Sequence, residues 1–187
     1  MLDAAKVKTA AELIEGRVVV GEAPVAVMIR GMVLGFPALF QAIYEGWPFG
    51  VTYVIETRVI DDSSRIANKY DLVINIMHRN ARGPLRSVMR LLLMESRGVA
   101  VGDKRIQEKY LINCNNNEQA DRFLRYPGVY DALLKLEEMT KFTEIQVKAN
   151  AGLSLSQPKS FNSLDLDVYL ETFRALSELG QILFESF

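Results

Sequence analysis

The stretch from Lys104 to Phe187 constrains this chain most, because it spells an ordered series of elements with legible punctuation. Tyr110, Ile112 and Cys114 form one face of a strand. Asn115-Asn116-Asn117 ends it, and Asn116 followed by Gln119 has the capping-box pattern, which predicts a helix start. Pro127 restarts that helix. Ala120, Phe123 and Leu124 lie before the proline and Tyr130, Leu133, Leu134 and Leu136 after it, which predicts two helical pieces meeting at an angle. Ile145, Val147 and Ala149 alternate with Glu144, Gln146 and Lys148, and Asn150-Ala151-Gly152 turns the chain into Leu153-Ser154-Leu155: a hairpin with one wet face. A final helix begins around Ser163 with Asp165 and Asp167 at its positive end. Its expected apolar stripe is Leu166, Leu170, Phe173, Leu176, Gly180, Leu183, Phe184 and Phe187. At roughly 2 kcal/mol per fully buried large side chain, that stripe anchors the fold against a sheet or forms a dimer face.

The preceding residues read less sharply. Met1 to Glu15 mixes charges into its apolar residues, unlike a signal peptide, and suits a short surface helix. Arg17-Val18-Val19-Val20 is a short β-branched strand, and Gly21-Glu22-Ala23-Pro24 turns it into the next. Val25 to Tyr44 is apolar enough to resemble a membrane span. Arg30 inside it would cost roughly 2.5–3.5 kcal/mol on insertion, so the expectation is a buried strand, Val25 to Leu34, and a short helix, Pro37 to Tyr44. Trp47-Pro48-Phe49-Gly50 is a turn. Val51, Tyr53, Ile55 and Val59 then alternate with polar residues as a half-buried strand. Asp61-Asp62-Ser63-Ser64 makes a loop, and Tyr70, Leu72, Ile74 and Ile76 form a strand returning most simply antiparallel to its predecessor. Pro84 opens a helix carrying Leu85, Val88, Met89, Leu92 and Leu93. Both halves read as strand, helix, two strands, helix, so a two-lobe organisation, 1–95 and 96–187, is the alternative to a single domain over residues 1–187.

Composition narrows the chemistry. A net charge of −1 generates no field to draw in a polyanion, so nucleic acid is not an expected partner. The charge is nevertheless uneven: eight basic residues face three acids between His78 and Lys109, whereas Ser160 to Phe187 carries five acids and one arginine. Cys114 is the only cysteine, which excludes an intramolecular disulfide and fits a reducing, cytoplasmic setting. The chain has no G-x-S-x-G elbow, Walker-type loop, G-x-G-x-x-G or H-E-x-x-H. His78 is the only histidine, which leaves little for a metal site, and no cofactor is implied. Cys114, just ahead of a capped helix, is either an activated thiolate or a small buried hydrophobe. The run from His78 to Arg86, continued by Arg90, is the densest positive feature. Arg79, Arg82, Arg86 and Arg90 are therefore the candidate ligand-binding residues, for a phosphate or acidic group held by forked hydrogen bonds. Asp61-Asp62 lacks the spaced oxygen ligands that calcium needs.

Gly102-Asp103, the strand Tyr110-Leu111-Ile112-Asn113-Cys114, Ala120, Leu124 and the Leu133-Leu134-x-Leu136 run resemble a recurrent uncharacterised bacterial domain, with Ile106-Gln107 standing where that pattern has Phe-Asp. The similar proteins are often attached to membrane helices, and the resemblance implies no site residue. The expected fold is α+β: a largely antiparallel sheet covered by helices, with a long C-terminal amphipathic helix packed across it. The expected function is a non-catalytic binding or scaffolding domain for an unknown protein or small-molecule ligand, with homodimerisation or peripheral membrane contact among its modes. The alternative is an enzyme or sensor acting on a phosphorylated or anionic small molecule through the arginine cluster.

Overall fold

The structure, a computed structural model, describes residues 3–19, 25–43, 50–57, 72–79, 101–149, 151–159 and 161–187. Period-two alternation of apolar residues sets its architecture. Among the described residues, eight strands form one sheet: β1 (Arg17–Val19), β2 (Val25–Val33), β3 (Phe36–Ile43), β4 (Gly50–Glu56), β5 (Val73–His78), β6 (Tyr110–Cys114), β7 (Glu144–Lys148) and β8 (Gly152–Gln157). Their order is β1-β2-β3-β4-β8-β7-β5-β6, and each neighbouring pair is antiparallel. The register aligns Ile29, Phe40, Tyr53, Leu155, Ile145, Ile76 and Ile112 across β2, β3, β4, β8, β7, β5 and β6. All are buried. Because side chains alternate between faces, this row commits one whole face of the sheet to the core.

Among the described residues, five α-helices cover that face: α1 (Ala4–Leu13), α2 (Lys104–Lys109), α3 (Asn117–Leu124), α4 (Val129–Thr140) and α5 (Leu166–Glu185). Their buried residues join the strand residues in a single apolar cluster. The expected α+β fold and the long C-terminal helix across the sheet are both present. Capping residues start most of these helices: Asp3 accepts from Ala5 and Lys6 N–H, Asp103 from Ile106, Asn116 from Gln119, and Asp165 from Asp167 and Val168. The Pro127 break appears as a turn between α3 and α4, with Gly128 at φ 91°. α5 buries a wider arc than the expected stripe, adding Tyr169, Thr172, Ala175, Ser177 and Leu179, because it packs on β4, β8 and β2 and against α4 and α1. Phe184, expected in the stripe, is exposed.

Three expectations are corrected. Residues 37–43 form strand β3 rather than a helix. Leu34 and Gly35 take φ values of 50° and 83°, a two-residue hairpin turn of the primed type, and Ala38, Phe40 and Ala42 alternate into the core. Pro37 is tolerated because the pair beside the turn, Val33 with Phe36, exchanges the hydrogen bonds, while the next pair, Met32 with Pro37, directs its N–H positions outward. Met32 N–H accordingly donates to the Ile14 carbonyl at 2.7 Å, whereas β4 pairing with β3 begins only at Ala38. A β-carbon on Gly31 would collide with that same Ile14 carbonyl, so glycine lets α1's end meet β2. Second, β5 does not pair with its predecessor β4 but lies between β7 and β6. The boundary between residues 1–95 and 96–187 therefore cuts through the sheet. Third, the short helix α2, unread in the sequence, precedes β6.

The expected turns at Gly21-Glu22-Ala23-Pro24 and Trp47-Pro48-Phe49, Val59, the Asp61-Asp62-Ser63-Ser64 loop, Tyr70 and the helix opened by Pro84 lie outside the described residues. Among the described residues no helix is long and apolar enough to cross a membrane.

Phe40 meets Tyr53, Tyr169 and Phe161 with ring centroids 5.2, 5.1 and 5.7 Å away, at the centre of the core. Phe40→Ala is expected to lower the unfolding free energy by about 3–5 kcal/mol. Urea denaturation checks this, and a loss below about 1 kcal/mol would place the ring outside a sealed core.

Candidate functional site

Antiparallel pairing of β5 with β6 sets His78 directly opposite Tyr110, their rings edge to face at 6.0 Å. α4 lays Glu137 against this pair. Glu137 Oε2 accepts from the Tyr110 hydroxyl at 2.6 Å and from Lys109 Nζ at 3.2 Å, and Oε1 lies 3.0 Å from His78 Nε2. Burial raises the Glu137 pKa, but the hydrogen bonds from Tyr110 and Lys109 and the nearby His78 outweigh it, so the carboxyl titrates below its ordinary 4.5. Burial, and then the bond to this carboxylate, push the Tyr110 phenol far up. The hub ties α4 to β5, α2 and β6. Its carboxylate is already occupied by three partners of its own chain, which leaves it poorly placed to act as a base on a substrate.

Arg79 stands at the same end of the sheet. Its backbone N–H donates to the Lys109 carbonyl at 2.9 Å and its Nε to the Gln107 carbonyl at 2.7 Å, with the residue exposed. The structure thus brings Arg79 together with His78 and Lys109; Arg82, Arg86 and Arg90 lie outside the described residues. Cys114 is half-buried on β6 and donates its thiol to Asn117 Oδ1 at 3.3 Å. Burial pushes its pKa up, more than a hydrogen bond from the Asn116 backbone pulls it down, so the neutral thiol is favoured over an activated thiolate. Among the described residues no three His, Cys, Asp or Glu side chains converge to hold a metal.

The second face of the sheet is built differently from the core face. In one row Gln41, Thr52, Ser156 and Glu144 stand side by side on β3, β4, β8 and β7; in the next, Ser154, Gln146, Asn75 and Asn113 do so on β8, β7, β5 and β6. Met28, Met77 and Leu111 continue the first row, and Leu39 and Val54 the second. None of these side chains is fully buried. The buried apolar residues of all five described helices join the cluster that the core-facing strand residues form. Gln146 Nε2 donates to Asn75 Oδ1 at 2.9 Å, and the Thr52 and Ser156 hydroxyls are 3.5 Å apart. The Glu144 side chain makes no hydrogen bond or ion pair among the described residues, and burial raises its pKa. Sequence reasoning identified the wet face of the β7–β8 hairpin but not its continuation, because the neighbours depend on the strand order.

An open depression of about 500 Å³ lies between α1 and the β1–β2 edge, lined by Val7, Ala11, Val18 and Val27. The charged Lys8 and Glu12 at its side pair with each other at 3.8 Å. Arg17 also lines it, beside these apolar residues, so the depression offers few polar groups to orient a substrate.

The two glutamates should respond oppositely to pH. The depressed Glu137 pKa means that the unfolded chain binds more protons below 4.5, so its contribution is present above that value and lost as pH falls through the folded pKa. Glu137→Gln should destabilise the protein at neutral pH and flatten the acid limb of its stability curve. The raised Glu144 pKa has the reverse sign: ionisation above 4.5 costs stability, so Glu144→Gln should raise Tm at neutral pH and lose that gain in acid. Thermal melts across pH check both, and equal slopes for both variants would contradict these assignments.

Compared with known proteins, the chain matches no family, no curated protein and no solved structure.

Proposed function

We propose that this protein is a non-catalytic binding or scaffolding domain that meets its ligand or partner on the second face of the sheet. One observation carries this reading: two contiguous rows of amide, hydroxyl and carboxylate side chains, flanked by methionine and leucine, lie on a face that no described helix covers. Such a surface offers directional hydrogen bonds on a rigid backbone, with apolar contacts at its margins. The polar groups at the His78 end of the sheet are used within the fold. His78, Lys109 and Tyr110 are spent on Glu137, and the Cys114 thiol faces Asn117 rather than a base. This arrangement supplies recognition without a nucleophile paired to a base.

Native mass spectrometry of gently purified protein tests the reading, with a Thr52→Arg, Gln146→Arg double variant beside the wild type. A bound adduct or defined oligomer on the wild type that the variant loses while keeping its Tm is the expected result. Species that survive unchanged in the variant would contradict it, as would a turnover activity abolished by Cys114→Ser or Glu137→Gln.

A further inference from the structure

Exposed apolar side chains gather at the tip of the β2–β3 hairpin. Leu34 is 62% exposed, Met32 43% and Phe184 41%, with Val18 the remaining large hydrophobic this exposed among the described residues. Phe36, on the other side of the tip from Met32, stacks on Phe184 at 6.2 Å. The turn itself has an unusual occupant. Leu34 holds a left-handed conformation at φ 50°, where asparagine or glycine is the ordinary choice because a β-carbon is strained there. A leucine that is both strained and exposed contributes nothing to the fold that asparagine would not. The tip is also convex: a β-carbon built on Gly35 would meet nothing within 4 Å.

Directly behind this tip two positive charges face each other. Arg17 on β1 and Arg30 on β2 are cross-strand partners, both exposed, and Arg30 shares the second face with Met32 two residues on. Like charges in that relation repel. Glu15 follows α1, Glu56 ends β4 and Glu185 closes α5, yet among the described residues neither arginine forms an ion pair with these or any other acid.

We propose that the β2–β3 hairpin docks on an anionic lipid surface, with Leu34 and Met32 entering the headgroup layer and Arg17 and Arg30 taking the phosphates and carboxylates beside them. The shape selects this partner. A protruding apolar turn backed by arginines fits a deformable interface, where the side chains enter lipid and the guanidiniums stay at headgroup depth. A helical peptide would need a groove, and a stable second copy would need about 800 Å² per side, far more than one two-residue turn and its neighbours offer. Arg30 shares its face, and through Leu39 and Val54 its row, with Ser154 and Gln146, so the two readings are separated by their variants: Leu34→Asn leaves Thr52 and Gln146 in place, and the Thr52→Arg, Gln146→Arg pair leaves the hairpin tip in place.

Cosedimentation of the full chain with vesicles tests it, using phosphatidylcholine alone and phosphatidylcholine with about 30% phosphatidylserine, at about 1 mM lipid and low salt. Wild type should sediment with the anionic vesicles, and less as salt rises. Leu34→Asn, which suits the turn and should leave Tm unchanged or raised, is expected to cut the bound fraction about fivefold. Arg17→Gln with Arg30→Gln should remove the preference for anionic lipid. Wild type that binds neither vesicle, or both equally, overturns the proposal. Binding that needs the arginines but not Leu34 also overturns it, since a soluble polyanion would explain that result.

Discussion

One register governs this molecule. Ile29, Phe40, Tyr53, Leu155, Ile145, Ile76 and Ile112 share a single line across the sheet, and the alternation of side chains then fixes the face of every other strand residue. A one-residue slip on any strand would carry its apolar set out of the core and its polar set into it. The helices respond to this line rather than create it. α5 lies on β4, β8 and β2, filling the surface with Tyr169, Phe173, Leu176 and Leu183, while Lys135 on α4 reaches Glu171 and Glu178 on its outer side at 3.8 and 3.7 Å. Small residues set the closeness of that contact: Gly180 lies under Leu153 and Phe36, and Ser177 satisfies its hydroxyl on the Phe173 carbonyl at 2.9 Å.

Dedicating one face to the core leaves the other to be written in hydrogen-bonding side chains. The core tolerates few polar atoms, and those few are mostly placed: Gln157 Nε2 donates to the Tyr53 hydroxyl at 3.2 Å, although the Tyr169 hydroxyl has no partner among the described residues. Burial pushes both phenols well above their ordinary range, so they remain neutral. On the second face the same strands carry glutamine, threonine, serine and asparagine in adjoining rows. A sheet needing only solubility there could use long charged side chains; the short amides and hydroxyls instead keep their donors near the backbone, where a ligand can meet them in fixed positions.

Much of this architecture was legible in the sequence, where local signals decided the outcome. The alternation in β4 and in the β7–β8 hairpin, the Asn116 cap and the Pro127 break each depend on residues close in sequence. Residues 37–43 misled because Pro37, two residues after Gly35, is also a good helix start, and only the outward-facing position of its missing N–H makes it acceptable in β3. The neighbours of β5 were illegible because pairing with β6 and β7 is settled by contacts distant along the chain. The Glu137 hub was invisible for the same reason: His78, Lys109 and Tyr110 come from three elements, and none carries a spacing that points to α4. Of the arginine cluster, Arg79 is positioned beside that hub, with its Nε held by the Gln107 carbonyl.

The division between a sealed face and a working face is tested most directly along β8, whose residues alternate between them. Leu153, Ser154, Leu155 and Ser156 would each be replaced by lysine and the stability measured in urea. Lysine at Leu153 or Leu155 should abolish folding or cost more than about 4 kcal/mol, whereas Ser154→Lys and Ser156→Lys should stay within about 1 kcal/mol of wild type. Losses of similar size at all four positions would show that the second face is sealed as well, and would contradict the account.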